Sequence, residues 1–74
     1  DLKIVLILHG PPHNTLVDEI YGRHVGNKST KKFIVRHRPH LVICGHIHET
    51  EGKKHVIGRS TVINPGYKGK FIQL

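Results

Sequence analysis

Apolar residues in this chain fall into short runs separated by polar or glycine- and proline-containing stretches. Leu2 to Leu8 is apolar except for Lys3 and holds the β-branched Ile4, Val5 and Ile7, which predicts a buried strand. Gly10-Pro11-Pro12 can continue neither a strand nor a helix, so that strand ends at His9. Residues 13–27 are polar, punctuated by Gly22 and Gly26, and without sustained periodicity. They read as a long loop, functional or mobile, with room for a short helical turn around Leu16 to Tyr21. From Lys28 to His37 the pattern becomes helical. Asn27 or Ser29 can cap its start, Phe33 and Ile34 supply an apolar patch, and Arg36, His37 and Arg38 set cations at its carboxyl end. Pro39 stops it. Leu41 to Cys44 is an unbroken apolar run closed by Gly45, as expected of a strand buried on both faces in a parallel sheet. After a charged turn from Glu49 to Lys54, Val56-Ile57 and Thr61-Val62-Ile63 flank Gly58-Arg59-Ser60 as a hairpin. Asn64-Pro65-Gly66 is a turn, and Lys70 to Leu74 predicts a last strand.

The succession of strand, helix and strand makes Leu2–Leu8, the helix and Leu41–Cys44 a βαβ unit of an α/β fold. Its crossover brings the carboxyl ends of both strands to one edge of the sheet, where α/β proteins place their chemistry. His9 stands at one of those ends and His46 just beyond the other. His48 follows His46 by two residues, and in an extended segment such side chains project to the same side. Neutral imidazoles are good ligands for Zn, Mn, Fe or Ni. A bare His-x-His is more often a pair of solvated loop histidines; the buried strand, the glycine and His9 favour the metal reading of His9, His46 and His48. Arg23 in the long loop, or Lys28, could hold a phosphate oxygen. Asn27 stands beside them as a second candidate substrate-binding residue, although capping the helix explains it as well. His13 and His55 read as surface residues.

Gly45-His46-Ile47-His48 resembles the last signature of the calcineurin-like metallophosphoesterases, a Gly-His-x-His after a buried strand. Leu6-Ile7-Leu8-His9-Gly10-Pro11-Pro12 is similar to the preceding element of that family, and Val62-Ile63-Asn64-Pro65-Gly66 to the strand and turn that follow. The family's amino-terminal signatures, Asp-x-His, Gly-Asp and Gly-Asn-His-Asp or -Glu, do not occur. The resemblance therefore implies the carboxyl-terminal half of such a domain: a partial metallophosphoesterase sandwich, βαβ followed by a hairpin and a final strand. It implies a phosphoesterase whose complete site holds two divalent metal ions, with His9 and His46 on one and His48 on the other. The bridging aspartate, an asparagine ligand and a general-acid histidine belong to the absent signatures, so this chain alone is expected to hold one ion or none and to be inactive. Gly22-Arg23-His24-Val25-Gly26, Pro39 and Glu49 are similar to the branch with brain metallophosphoesterase-domain proteins, which implies a phosphodiester or nucleotide substrate.

Composition adds bounds. At 74 residues and 36% apolar, without Trp or Met, the chain is at most one small domain with a thin core, since a chain this short buries only about 60% of its unfolded surface. Its single cysteine, Cys44, excludes a disulfide framework and suits a reducing, cytoplasmic setting. No apolar run approaches the ~18 residues of a membrane span, no signal-peptide pattern is present, and the start at Asp1 suits a fragment or processed chain. Twelve Lys and Arg against five Asp and Glu give +7, which suggests nucleic acid or another polyanion. The duller explanation is that the family's metal-binding aspartates lie in the other half. The competing class is a small basic nucleic-acid- or metal-binding module without catalysis, disfavoured by two Tyr and two Phe and by the absence of zinc-finger spacing. A half-domain needs its amino-terminal half as partner, or self-associates.

Overall fold

The computed structural model describes residues 3–66; the last strand expected at Lys70–Leu74 lies outside them. In chain order the elements are β1 (Val5–Ile7), β2 (Glu19–Ile20), β3 (Arg23–His24), α1 (Lys28–His37), β4 (Leu41–Ile43), a 3-10 turn (His48–Thr50), β5 (Lys54–Ile57) and β6 (Ser60–Ile63). The main sheet has the order β1-β4-β6-β5. β1, β4 and β6 run parallel, and β5 folds back antiparallel on β6. The βαβ unit and the hairpin are thus both present, and the class is α/β.

Apolar density decides the position of each strand. β4 is buried along most of its length because it is flanked on both sides, by β1 and β6. Val42 and Val62, register partners on β4 and β6, are fully buried and form the core with Val17, Ile34 and Cys44. β1 departs from expectation. It is three residues long and sits at the sheet edge, so only alternate residues face the core: Leu6 and Leu8 pack inward. Ile4, Val5 and Ile7 stay 54%, 40% and 75% exposed. A run that reads as a buried strand is here covered on one face and bare on the other, and its outer edge has no neighbouring strand among the described residues.

α1 is held at both ends by local chemistry. Asn27 is the N-cap, its Oδ1 accepting from the Thr30 N–H at 2.8 Å. Arg38 turns left-handed at φ 52° and its N–H donates to the Ile34 carbonyl, after which Pro39 prevents continuation. Only Ile34 is buried along the helix; Phe33 and Val35 remain about half exposed.

Residues 13–27 differ most from the sequence reading. Within this segment residues 19–24 form a small hairpin, β2 against β3, in place of an uninterrupted loop or a helical turn. Tyr21 and Gly22, at φ 49° and 79°, make the two-residue turn, whose positive φ at both positions matches the twist of paired strands. The buried carboxylate of Asp18 organises what leads into and out of the hairpin. Its oxygens accept from the N–H groups of Asn14, Thr15 and Gly26 at 3.0, 2.9 and 2.9 Å, and from His24 Nδ1 at 2.7 Å. Burial opposes its ionisation, but the bond from His24 and the three backbone N–H groups together hold its pKa below the ordinary carboxylate value.

Candidate functional site

Pairing of β1 with β4 continues past the formal strand ends. Leu8 N–H donates to the Ile43 carbonyl at 2.8 Å, and Gly45 N–H donates to the His9 carbonyl at 3.1 Å. This brings His9 beside the residue that follows Gly45. The imidazoles of His9 and His46 lie with ring centroids 4.6 Å apart, tilted by 46°. Convergence at one sheet edge is what the βαβ crossover requires.

The path from His46 to His48 is not extended. His46 has φ 71°, and Ile47 N–H donates to the Gly45 carbonyl at 2.8 Å, so the chain makes a tight three-residue turn centred on His46. It then enters the 3-10 turn at His48. The i, i+2 rule for strands therefore does not govern this pair, and the expectation of an extended tip through His46 and His48 is corrected. A left-handed non-glycine residue costs of order 1 kcal/mol and persists where its surroundings hold it. The surroundings here include Asn64, buried at the end of β6. Its Nδ2 donates to the Ile47 carbonyl at 2.8 Å and to Thr50 Oγ1 at 2.9 Å, while its Oδ1 accepts from Gly66 N–H at 3.2 Å. Asn64 thus clamps the histidine loop to the sheet, a role beyond the plain turn its Asn-Pro-Gly motif predicts.

His48 is solvent-exposed, its Nδ1 3.6 Å from Glu51 Oε1. With His46 it borders a cavity of about 330 Å³ that reaches Cys44 and Asn64. Burial pushes the Cys44 thiol up to about 11. Among the described residues no three His, Cys, Asp or Glu side chains gather in a way that could hold one metal ion. His9 and His46 thus offer two exposed, adjacent imidazoles, a donor pair short of a complete metal centre.

A larger cavity, of about 420 Å³, also borders His46. Asn27 lines it, although its Oδ1 is engaged in capping α1. Arg23 is exposed on β3 and does not line it. Gly26 explains how the wall closes. A Cβ there would stand 2.6 Å from the Pro11 carbonyl oxygen and 2.7 Å from Pro12 backbone atoms, so only glycine permits the approach. Asn27 N–H donates to the Pro11 carbonyl and His13 N–H to the Asn27 carbonyl, at 3.0 and 3.1 Å. His13 and His55, expected at the surface, are half-buried: the His13 ring lies 5.7 Å from that of His24, and His55 Nδ1 accepts from Leu16 N–H at 3.3 Å.

The sequence matches the family model described as metallophosphoesterase, calcineurin superfamily, over residues 1–72. It is 38% identical over 75 aligned residues to an uncharacterised protein of Methanocaldococcus jannaschii, which covers 95% of this chain and 34% of the relative. The chain thus spans about a third of the length of that curated relative. No solved structure matches it.

Proposed function

Because this chain belongs to the calcineurin superfamily of metallophosphoesterases, a phosphoesterase-type function follows, and we propose that its reaction is the hydrolysis of small phosphodiesters or nucleotides. In this reading His9 and His46 are ligands of one divalent ion and His48 of a second. Metallophosphoesterases use divalent metals, and such ions, when bound, activate water and neutralise phosphoryl oxygens. The observation that carries the reading is the meeting of the His9 and His46 imidazoles at the carboxyl ends of adjacent parallel strands. Native ion identity, among Mn, Fe, Zn and Ni, follows from availability as much as from imidazole ligation.

The chain acts as the carboxyl-terminal half of a metallophosphoesterase domain, completed by an amino-terminal half or, failing that, by a second copy. Two features support this. The chain spans about a third of its relative, and the exposed Ile4, Val5 and Ile7 at the open edge of β1 offer a surface for added strands. Asn27, on the wall of the larger cavity, is a substrate contact through its side-chain amide; Arg23 serves as an outer cation for an arriving phosphate.

The test is hydrolysis of a chromogenic phosphodiester with Mn²⁺ or Ni²⁺, by the chain alone and after mixing with an amino-terminal half of the same family. Expected are no turnover alone, turnover in the mixture, and its loss in His46→Ala. Robust turnover by the 74-residue chain alone, abolished by His46→Ala, would overturn the division of labour. Turnover in the mixture that survives His46→Ala would overturn the site.

A further inference from the structure

The larger cavity beside His46 has a lining of two chemical kinds. Pro11, Ile20, Val25 and Ile47 contribute apolar surface. His46 and the carboxylate-bearing Glu49 contribute its ionisable groups. No Lys or Arg among the described residues lines it, in a chain with twelve of them. An extended polyphosphate would find no counter-charge here and would meet Glu49, so like-charge repulsion works against it. An organic group attached to a single phosphoryl group would find apolar surface. Val25 is 54% exposed and Ile20 half-buried, which leaves area on both for a ligand to cover. The volume, about 420 Å³, falls within the range of about 300–1,000 Å³ typical of small-molecule sites.

The apolar lining from the hairpin is also fixed in place. Ile20 and Val25 lie on either side of the hairpin turn, and Asp18 fastens the hairpin through four hydrogen bonds. β2 packs on the 3-10 turn that follows His46. The hairpin therefore bridges the loop after His9 and the loop of His46, and rigid walls discriminate ligands better than mobile ones.

We propose that the β2–β3 hairpin is the specificity element of this site: Ile20 and Val25 hold a planar apolar group of a phosphate ester whose phosphoryl group lies at His46. This rests on the phosphoesterase reading above and adds the class of ester, one with a single phosphoryl group and an aryl or nucleobase moiety.

The chain, methyl-labelled and supplied with Zn²⁺, is titrated by NMR with phenylphosphonate, methylphosphonate, adenosine 3′-monophosphate and pyrophosphate. Phenylphosphonate is expected to bind about tenfold tighter than methylphosphonate, the gain from covering part of one ring with apolar surface. It should shift the Ile20 and Val25 methyl signals together with the His46 ring signals, and pyrophosphate should show no such gain. A tighter fit of the nucleotide than of phenylphosphonate identifies a nucleobase as the apolar group; the reverse identifies a simple aryl ester. Ile20→Ser with Val25→Ser should erase the phenyl advantage and leave methylphosphonate affinity unchanged. Val25→Ser alone, at an exposed position, should halve that advantage even where the double variant does not fold. Equal affinities for phenyl- and methylphosphonate, with His46 responding to both, overturn the specificity assignment and leave the phosphoesterase reading standing. Silence of His46 toward every phosphorus compound overturns the specificity assignment as well, together with the placing of a phosphoryl group at His46 in this chain.

Discussion

Replacing Asn64 with alanine tests whether the histidine loop is held from behind by the sheet. The native amide donates to the Ile47 carbonyl at 2.8 Å and to Thr50 Oγ1 at 2.9 Å, both buried. The Ile47 carbonyl keeps Thr50 N–H and the Thr50 hydroxyl as donors, at 3.3 and 3.1 Å, so the substitution does not orphan it. The two buried bonds are worth about 2 kcal/mol in all, the part-buried bond from Gly66 N–H to Oδ1 is open to replacement by water, and the space left by a buried side chain adds about 1 kcal/mol. A fall of about 3 kcal/mol is large against the roughly 4–11 kcal/mol expected of a domain this size. It corresponds to a lowering of Tm by roughly 12–24 °C. Asn64→Asp should be worse at neutral pH, since a carboxylate oxygen replaces the donor opposite the Ile47 carbonyl. That penalty should shrink under acid conditions, where a protonated carboxyl can donate. Thermal denaturation by circular dichroism measures both, and the His46 ring signals in NMR report whether the turn at φ 71° survives. A Tm change of less than about 2 °C for Asn64→Ala, with the His46 signals unmoved, would refute the clamp.

Asp18→Asn should cost about 2–4 kcal/mol by weakening four bonds to a buried group. Because the folded pKa of Asp18 is depressed, its contribution is complete above the unfolded value of about 3.9 and is lost as pH falls through the folded one. Acid titration of stability should therefore be less steep in Asp18→Asn than in the native chain. Gly26→Ala should destabilise by at least about 2 kcal/mol, since its Cβ would press on Pro11 and Pro12, and urea denaturation measures it. Cys44, buried and with its thiol pushed up to about 11, should be inert to a thiol reagent at neutral pH until the chain unfolds. Sedimentation at two concentrations should show self-association through the bare edge of β1. A monomer whose DNA binding weakens steeply with salt would instead support the basic binding module.

Reading the chain alone was enough for α1, for the buried β4 and for the β5–β6 hairpin, because each is written in local chemistry. Asn27 and Pro39 bracket the helix, a four-residue apolar run marks β4, and Gly58-Arg59 turns the hairpin. The approach of His9 to His46 was also legible, since a crossover between parallel strands leaves little choice about which ends become neighbours. The rest depended on partners distant in sequence. Whether Ile4, Val5 and Ile7 are covered depends on how many strands stand beside β1, which no pattern within β1 encodes. The hairpin at 19–24 is too short for periodicity to announce; it exists because Asp18 gathers N–H groups from both of its flanks and Gly26 lets Pro11 come close. The bent backbone between His46 and His48 was missed for a similar reason. Asn64, sixteen residues further along the numbering, bonds to Ile47 and Thr50 and so helps hold a bent path through a segment whose sequence suggests an extended one. Local sequence determines which elements form; long-range hydrogen bonds and strand neighbours decide where their side chains point.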